Sequence, residues 1–551
     1  MRLMFLDTPT RPQRTAITLV VLSSVWLAIL GNLALWKTLM ALPDLTGWHG
    51  VFFGIAFALM IACVVSALLS LFAWRLTLKP AITLLLLLAA FATHYMLMYG
   101  IVVDTPMLIN VLQTDAREAG DQLSWRLWVT VLCLAVVPSI WLWRQSIAPS
   151  SFRQQVFRNI GLFIASLTLA FGTTQLVFQD FSSLMRNYIE MRYQINPLNS
   201  IYAVLDMTVI PAEQPRGPMQ RLGEDARIVT QTKQDQPPPL LILVLGETAR
   251  SQNFSLNGYH RNTNPRLAKE NVTSFTHVSS CGTSTAESLP CMFSHLGRLA
   301  FEKRSNEFEN LLDVLHHAGY AVLWMDNQSG CKDQCARVPY VNTSNLTLPN
   351  FCEDGECRDT VMLNRIETEL SKLPAERRAR GTVVVMHQMG SHGPAYFKRT
   401  PASFKPFTPE CKDTSLSQCD RTQIINAYDN TLVFTDYFLS EVIAWLKGQD
   451  KTSTAAMLYV SDHGESLGEK NMFLHGLPYN VAPAEQTTVP LITWLSPKFE
   501  LRTKVSTRCL QVNRDQPLSH DHLFHSVLGL MSVKTSVYQR ERDFFAACEN
   551  R

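Results

Sequence analysis

The sequence predicts a two-part protein: an N-terminal all-α domain of five transmembrane helices and a C-terminal α/β/α domain with a mainly parallel sheet. Three observations support this. Five long apolar stretches fall before about residue 180, and ten of the twelve cysteines follow residue 280. From residue 240 onward, short apolar runs alternate with helical stretches, which is typical of an α/β domain. A chain of 551 residues has room for both parts.

The five N-terminal stretches are each long enough to cross a bilayer, for which about 20 apolar residues are needed. The spans are expected at about residues 15–36, 50–74, 81–103, 127–143 and 160–178. The first two contain no charged residue, and four more spans follow the first, so we interpret it as an anchor rather than a signal peptide. Residues 1–180 are therefore assigned to a transmembrane domain.

Lysines and arginines between the spans predict the orientation of the chain. The positively charged side holds Arg2, Arg11, Arg14, Arg75, Lys79, Arg144, Arg153 and Arg158, whereas the other loops hold Lys37, Arg117 and Arg126. The positive-inside rule places the N-terminus in the cytoplasm and everything after residue 178 outside. The net charge of +3 is too small to indicate nucleic-acid binding.

Two polar regions flank the last spans. Residues 181–204 mix aromatic and charged side chains, which favours an amphipathic segment on the membrane surface, and residues 211–239 contain six prolines, typical of a linker. We assign 181–239 to this connection. In the loop before the fourth span, Asn110, Thr114 and Glu118 are spaced by four and would share one helix face. A solvated loop helix explains the same spacing.

The region 240–551 is predicted to form one α/β domain, with strands at five apolar runs. These runs are Leu240–Leu245, Ala321–Met325, Thr382–Met386, Ala455–Val460 and Val489–Leu495. Helices are expected between them, for example over Glu307–His317 and Thr422–Lys447. Such alternation favours a mainly parallel sheet covered on both faces.

The ten cysteines outside the spans are even in number and lie mostly in close pairs, which indicates disulfides in an oxidising compartment. Pairing neighbours gives 281–291, 331–335, 352–357, 411–419 and, by elimination, 509–548. Sequence leaves the connectivity open. The alternative is a zinc site built from Cys331, Cys335, Cys352 and Cys357.

Polar residues follow four of the predicted strands. They are Glu247 after the first, Asp326 and Asn327 after the second, His387 and then His392 after the third, and Asp462 and His463 after the fourth. Ligands of open α/β sheets bind beyond the carboxyl ends of the strands. Carboxylates and imidazoles there predict a metal or phosphate site, although an Asp-His pair by itself is also common in polar turns.

The segment 279–294, SSCGTSTAESLPCMFS, places three hydroxyl residues between two cysteines and before a helix-like run. A hydroxyl at a helix N-terminus meets free amide donors, which favour an alkoxide and bind phosphate. An ordinary helix cap is the alternative, and composition does not choose among Thr283, Ser284 and Thr285. His316 and His317 are interpreted as ordinary helix residues, and His520, His522 and His525 as a helix start rather than a metal cluster.

Five motifs resemble a known family. They are LGETAR at 245–250, CGTSTAESLPCMFS at 281–294, GSHGP at 390–394, YDNTL at 428–432 and SDHGESLGE at 461–469. They are similar to motifs of the phosphoethanolamine transferases of Gram-negative bacteria, in the alkaline phosphatase/sulfatase superfamily. The most similar branch modifies lipid A and includes the mobile colistin-resistance enzymes. The five spans match this family as well.

The resemblance implies roles for particular residues. Thr285 would be the nucleophile, and one zinc ion would be held by Glu247, Thr285, Asp462 and His463. His392 and His475 would hold the phosphoethanolamine or a second zinc ion, and either could protonate the leaving group. The substrate head group would lie near Asn327, Lys332 and Glu465, and the lipid near Asn110, Thr114 and Glu118.

The implied reaction transfers phosphoethanolamine from phosphatidylethanolamine to lipid A through a phosphothreonine-type intermediate, conferring polymyxin resistance. We expect a monomer in the bacterial inner membrane with a periplasmic catalytic domain. Three alternatives stay open: another acceptor such as a core heptose or Kdo sugar, a phosphoglycerol transferase or sulfatase-type hydrolase, and a non-catalytic sensor or transport component. The sulfatase sequence context is absent around Thr285.

Overall fold

The computed structural model describes residues 13–43, 45–113, 116–208, 217–229, 236–353 and 356–549. The chain forms two compact units. One contains residues 1–108 and 123–210, and the other contains residues 109–122 and 211–551.

The first unit is helical, and five of its helices are long and apolar enough to cross a membrane. They are α1 (Ala16–Met40), α2 (Gly47–Leu71), α3 (Leu78–Tyr99), α4 (Trp125–Arg144) and α5 (Phe152–Leu176). A 3₁₀ turn interrupts α1 at Leu30–Asn32, and a π turn interrupts α4 at Leu132–Val136. Five helices therefore occur where the hydropathy pattern predicts spans.

Shorter helices follow these spans. They are Phe178–Asn187 and Leu198–Thr208, in the region predicted to be amphipathic. Between α3 and α4 the chain forms the helices Thr105–Gln113 and Ala116–Gln122. Asn110 lies on the first and Glu118 on the second, whereas Thr114 lies outside the described residues. Asn110 and Glu118 thus lie on two separate helices, whereas the spacing of four predicted that the three residues share one helix.

The second unit is built on a seven-stranded sheet. Its strands are β1 (Pro239–Gly246), β2 (Val272–Phe275), β3 (Ala321–Asp326), β4 (Tyr340–Asn342), β5 (Thr382–His387), β6 (Thr454–Ser461) and β7 (Leu491–Leu495). The order across the sheet is β4-β3-β5-β1-β6-β7-β2. The neighbours from β4 to β6 pair in parallel, and β7 pairs antiparallel with both β6 and β2. The mainly parallel sheet is confirmed, with one reversed strand.

Packing explains why the central strands are apolar throughout. Every residue of β1, β3, β5 and β6 is buried, so neither face of these strands meets solvent. Long helices cover the sheet, including α6 (Thr360–Lys372) and α7 (Arg421–Gly448), the second of which matches its prediction closely.

The predicted helix over Glu307–His317 is too long at its N-terminus. Residues Asn306–Phe308 form a short strand that pairs with Gly217–Gln220, and the helix runs from Leu311 to His317. Asn310 caps it, because its side chain accepts from Leu312 N while Asp313 accepts from Asn310 N. A capping box fixes a helix start more firmly than hydrophobic periodicity can.

Five disulfides join the cysteines of the second unit. They are Cys281–Cys291, Cys331–Cys335, Cys352–Cys357, Cys411–Cys419 and Cys509–Cys548. This is the neighbour pairing that the sequence favoured. The alternative four-cysteine zinc site is wrong, since all four of its sulfurs are covalently paired.

Candidate active site

Register across the sheet brings the first two parts of the site together. Strands β1 and β6 are parallel neighbours, with Gly246 opposite Ser461 at their carboxyl ends. The residues that follow, Glu247 and Asp462, are therefore adjacent, and Asp462 N donates to Gly246 O over 3.0 Å. His463 comes next, with its Nε2 atom 3.3 Å from Glu247 Oε1.

Thr285 comes from a separate segment and completes the cluster. It is the first residue of the helix Thr285–Met292, which we name α-Thr. Its hydroxyl lies 3.2 and 3.1 Å from the two carboxylate oxygens of Glu247 and 3.4 Å from His463 Nε2. Of the three hydroxyl candidates, Thr285 is thus the one whose hydroxyl meets the buried carboxylate and imidazole.

The donor atoms of this cluster fit a metal ion. One ligand atom each from Glu247, Asp462 and His463 lie within 4.8 Å of one another, and all three side chains are fully buried. His463 Nδ1 lies 2.9 Å from Gly464 O and donates to it, which leaves Nε2 as the ring atom that faces the carboxylates. Asp462 Oδ2 accepts no hydrogen bond from any residue that the structure describes.

The pKa shifts of Asp462 and His463 also indicate a cation site. Burial, together with the nearby Glu247 carboxylate, raises the pKa of Asp462 to about 6. Burial opposes protonation of His463, but the Asp462 and Glu247 carboxylates outweigh it and raise the pKa of His463 to about 10. Two buried carboxylates within reach of each other need a compensating cation, and carboxylate oxygens with imidazole nitrogen suit zinc.

His392, His475 and Glu465 lie beside this cluster. The ring of His475 lies 4.3 Å from that of His463 and 5.5 Å from that of His392, centroid to centroid. His475 Nδ1 is 3.4 Å from Glu465. Burial and the other two histidines lower the pKa of His475, whereas burial raises the pKa of Glu465 to about 8.

The GSHGP motif passes close to Glu247 through a glycine. Gly390 has φ +52°, and a Cβ atom there would lie 2.8 Å from Glu247 O. Ser391 N then donates to the same oxygen over 3.0 Å, which leads directly to His392. Only a residue without a side chain fits this approach, so the glycine places His392 next to the cluster.

Two of the predicted head-group residues, Asn327 and Lys332, follow strand β3. Asn327 is buried, and its side-chain amide donates to Asp359 Oδ1 and Cys357 O, both over 2.9 Å. Lys332 sits in the small Cys331–Cys335 loop with φ +46°, and its Nζ lies 3.2 Å from Ser329 Oγ.

The YDNTL motif holds the loop that follows Glu247. Tyr428 on α7 donates to Thr248 O over 2.7 Å and accepts from Arg250 N over 2.9 Å. Asp429 accepts from Asn253 Nδ2 over 2.6 Å. This motif therefore shapes the backbone beside the metal cluster and supplies no ligand to it.

Two further buried histidines touch the site, although the family motifs assign a role to neither. His387 Nδ1 lies 3.1 Å from Asp326, and its Nε2 lies 3.8 Å from Glu247 Oε2. Its position just beyond a strand was the available signal. His520 bonds two backbone groups near the site and had no comparable signal, because those partners lie far away in sequence.

Comparison with known proteins identifies the family of this chain. Phosphoethanolamine transferase EptA of Escherichia coli K12 is 36% identical over 543 residues, covering 98% of both chains. The chain belongs to the phosphoethanolamine transferase family. Two family models match as well: "Phosphoethanolamine transferase EptA/EptB" over residues 61–210 and "Sulfatase" over residues 239–533.

Two further members of the family are similar to this chain over most of their length. Phosphatidylethanolamine transferase Mcr-1 of Escherichia coli is 37% identical over 479 residues, which is 85% of this chain and 86% of that one. The lipooligosaccharide phosphoethanolamine transferase A of Neisseria meningitidis superposes with a TM-score of 0.92 at 32% identity, covering 98% of this chain and 100% of that one. The protein is thus a transferase of the EptA/Mcr type with a sulfatase-like domain.

Proposed function

We propose that this phosphoethanolamine transferase takes phosphoethanolamine from phosphatidylethanolamine and transfers it to a phosphate group of lipid A, through a covalent intermediate on Thr285. Zinc would be held by Glu247, Asp462, His463 and the Thr285 oxygen. One observation carries the proposal: the Thr285 hydroxyl begins a helix and lies 3.1–3.4 Å from a buried carboxylate and a buried imidazole.

The residues of the chain define the first half of the reaction. The Thr285 oxygen attacks phosphorus, its proton passes to Glu247, and the bond from phosphorus to the diacylglycerol oxygen breaks. His392 or His475 protonates the departing diacylglycerol oxygen. When bound, zinc lowers the pKa of the hydroxyl and offsets negative charge on the phosphoryl group.

The second half reverses these roles. A lipid A phosphate oxygen attacks the phosphorus carried by Thr285, the Thr285–phosphorus bond breaks, and the threonine oxygen regains a proton. The ethanolamine head group would lie near His392, His475 and Glu465, which are beside the metal cluster. Asn327, Lys332, Asn110, Thr114 and Glu118 remain proposed substrate contacts.

The location follows from the substrates. Both are lipids, so we place the five helices in the bacterial inner membrane with the N-terminus cytoplasmic and the catalytic unit in the periplasm. Five disulfides support an oxidising compartment. Adding an amine to lipid A offsets its negative charge, which would weaken polymyxin binding. We expect the enzyme to act as a monomer.

Mass spectrometry of lipid A from cells that express the enzyme tests the proposal. Wild type should add phosphoethanolamine to lipid A, and Thr285→Ala should lose more than ~1,000-fold of the activity because the covalent step needs the hydroxyl. Thr285→Ser is the matched control and should retain activity. Modification of a core sugar in place of a lipid A phosphate would reject the acceptor, and an active Thr285→Ala would reject the intermediate.

A further inference from the structure

His520 joins two separate segments of the active site through their backbones. Its Nδ1 atom accepts a hydrogen bond from Cys281 N over 3.0 Å, and its Nε2 atom lies 2.9 Å from Ser461 O. The first bond needs a lone pair on Nδ1 and the second a proton on Nε2, which fixes one neutral tautomer. The side chain is 2% exposed, so water does not compete for either bond.

The two bonded groups lead directly to the reacting residues. Cys281 opens the loop that reaches Thr285 four residues later, and Gly282 N in that loop donates to Ser288 Oγ on α-Thr over 3.0 Å. Ser461 immediately precedes Asp462, and its hydroxyl donates to His463 O over 3.1 Å. One imidazole ring therefore spans the nucleophile loop and the strand end that carries two metal ligands.

Short strands hold His520 in this position. Leu518–Ser519 pairs in parallel with Val278–Ser279, with Ser519 opposite Ser279. Each strand then continues into its part of the site, one to His520 and the other to Cys281. The pairing fixes the separation between the ring and the nucleophile loop without any contact to the reacting atoms.

We infer that His520 is a positioning residue: it sets the distance between Thr285 and the metal ligands by tying Cys281 N to Ser461 O. This rests on the proposed function, because it requires Thr285 to be the attacking group. Burial lowers the pKa of His520 to about 4, which agrees with a neutral ring at physiological pH.

His525 offers a matched control five residues further on. It is fully buried, its Nδ1 accepts from Gln539 N over 3.2 Å, and its Nε2 lies 3.3 Å from His295 O. It therefore makes the same two kinds of backbone bond, but its partners do not belong to the site. Any general cost of removing a buried, bridging imidazole should be equal at the two positions.

Two conservative variants separate the two bonds of His520. In His520→Asn the side-chain oxygen can replace Nδ1 as the acceptor for Cys281 N. In His520→Gln the side-chain amide can replace Nε2 as the donor to Ser461 O. His520→Ala loses both bonds, and the corresponding three substitutions are made at His525.

The experiment uses the full chain in detergent with zinc, and follows diacylglycerol release from phosphatidylethanolamine with a labelled acyl chain. Relative to His525→Ala, His520→Ala should lower kcat per bound zinc by ~10–100-fold with KM changed less than about threefold. His520→Asn and His520→Gln should each recover part of that loss. Since Asn and Gln variants preserve size and polarity, they decide the question if His520→Ala does not fold.

Hydrogen exchange adds a readout that does not depend on turnover. The Cys281 amide should exchange faster in His520→Gln, which lacks its acceptor, and at the wild-type rate in His520→Asn. Equal kcat per bound zinc in the His520 and His525 series, or unchanged Cys281 exchange in His520→Gln, would overturn the inference. These failures are distinct from failure of the proposed function, which would appear as an active Thr285→Ala in the same assay.

Discussion

The pKa values of two buried histidines in this enzyme are shifted in opposite directions by what surrounds each ring. His463 faces two carboxylates, which raise its pKa to about 10 despite burial, whereas His520 faces backbone groups and burial lowers its pKa to about 4. Sequence reasoning could propose His463 as a ligand because it adjoins Asp462 beyond a strand. It could not assign His520, since both partners are set by tertiary contacts.

The metal site predicts a specific effect of neutralising one ligand. Glu247→Gln keeps the size of the side chain but removes its charge. The affinity for zinc should therefore fall by more than ~100-fold, which exceeds the usual effect of replacing a residue that only hydrogen-bonds to a metal ligand. Metal competition titration measures this. Glu287→Gln is the control, because Glu287 lies on α-Thr and accepts from Thr283 N, yet it is not one of the three side chains whose donor atoms converge as possible metal ligands. Equal zinc affinity of the two variants would contradict the ligand assignment.

His525 predicts how stability depends on pH. Burial lowers its pKa from 6.5 to about 4, so between these values the unfolded chain binds a proton that the folded chain does not. The free energy of unfolding should therefore be highest above pH 6.5 and fall on acidification, by up to ~1.4 kcal/mol per pH unit from this residue. Denaturant unfolding of wild type and His525→Asn should show a shallower slope in the variant; identical slopes would contradict this assignment.

At the scale of elements, the sequence predicted the strands that carry the site better than the edges of the sheet. The apolar runs of β1, β3, β5 and β6 are buried on both faces, which gives an unmistakable pattern. The short strands β2 and β4 lie at the two edges and lack such runs. The reversed direction of β7 was not predictable, because an apolar run is the same in either direction.

Removing each of two disulfides is expected to affect stability and activity in opposite rank order. The Cys281–Cys291 bond lies beside Thr285 and joins cysteines that are 10 residues apart in sequence. The Cys509–Cys548 bond lies away from the metal cluster and joins cysteines that are 39 residues apart in sequence. Chain entropy assigns them about 2.7 and about 3.9 kcal/mol, respectively. Replacing the second pair by alanine should therefore lower the melting temperature more, whereas replacing the first should lower turnover more. The same rank order in melting and activity assays would show that the 281–291 bond has no special role at the site.

At the scale of the whole molecule, the proposed orientation can be tested with two matched positions. Lys37 and Arg75 are both exposed. Lys37 lies near the C-terminal end of α1 and Arg75 shortly after the C-terminal end of α2, so the proposed orientation puts them on opposite sides of the membrane. After the free cysteines Cys63 and Cys133 are replaced by alanine, Lys37→Cys should react in intact cells with a reagent that does not cross the inner membrane. Arg75→Cys should react only after lysis. The reverse pattern would place the catalytic unit in the cytoplasm.

The central claim is that the Thr285 oxygen carries the phosphoethanolamine between two lipids. Rapid quenching of the full-length enzyme after mixing with phosphatidylethanolamine, followed by peptide mass spectrometry, tests it most directly. The account predicts phosphoethanolamine on Thr285, its absence in Thr285→Ala, and its loss when lipid A is added. An unmodified Thr285 in an enzyme that releases diacylglycerol at full rate, or a modification on another residue, would contradict it.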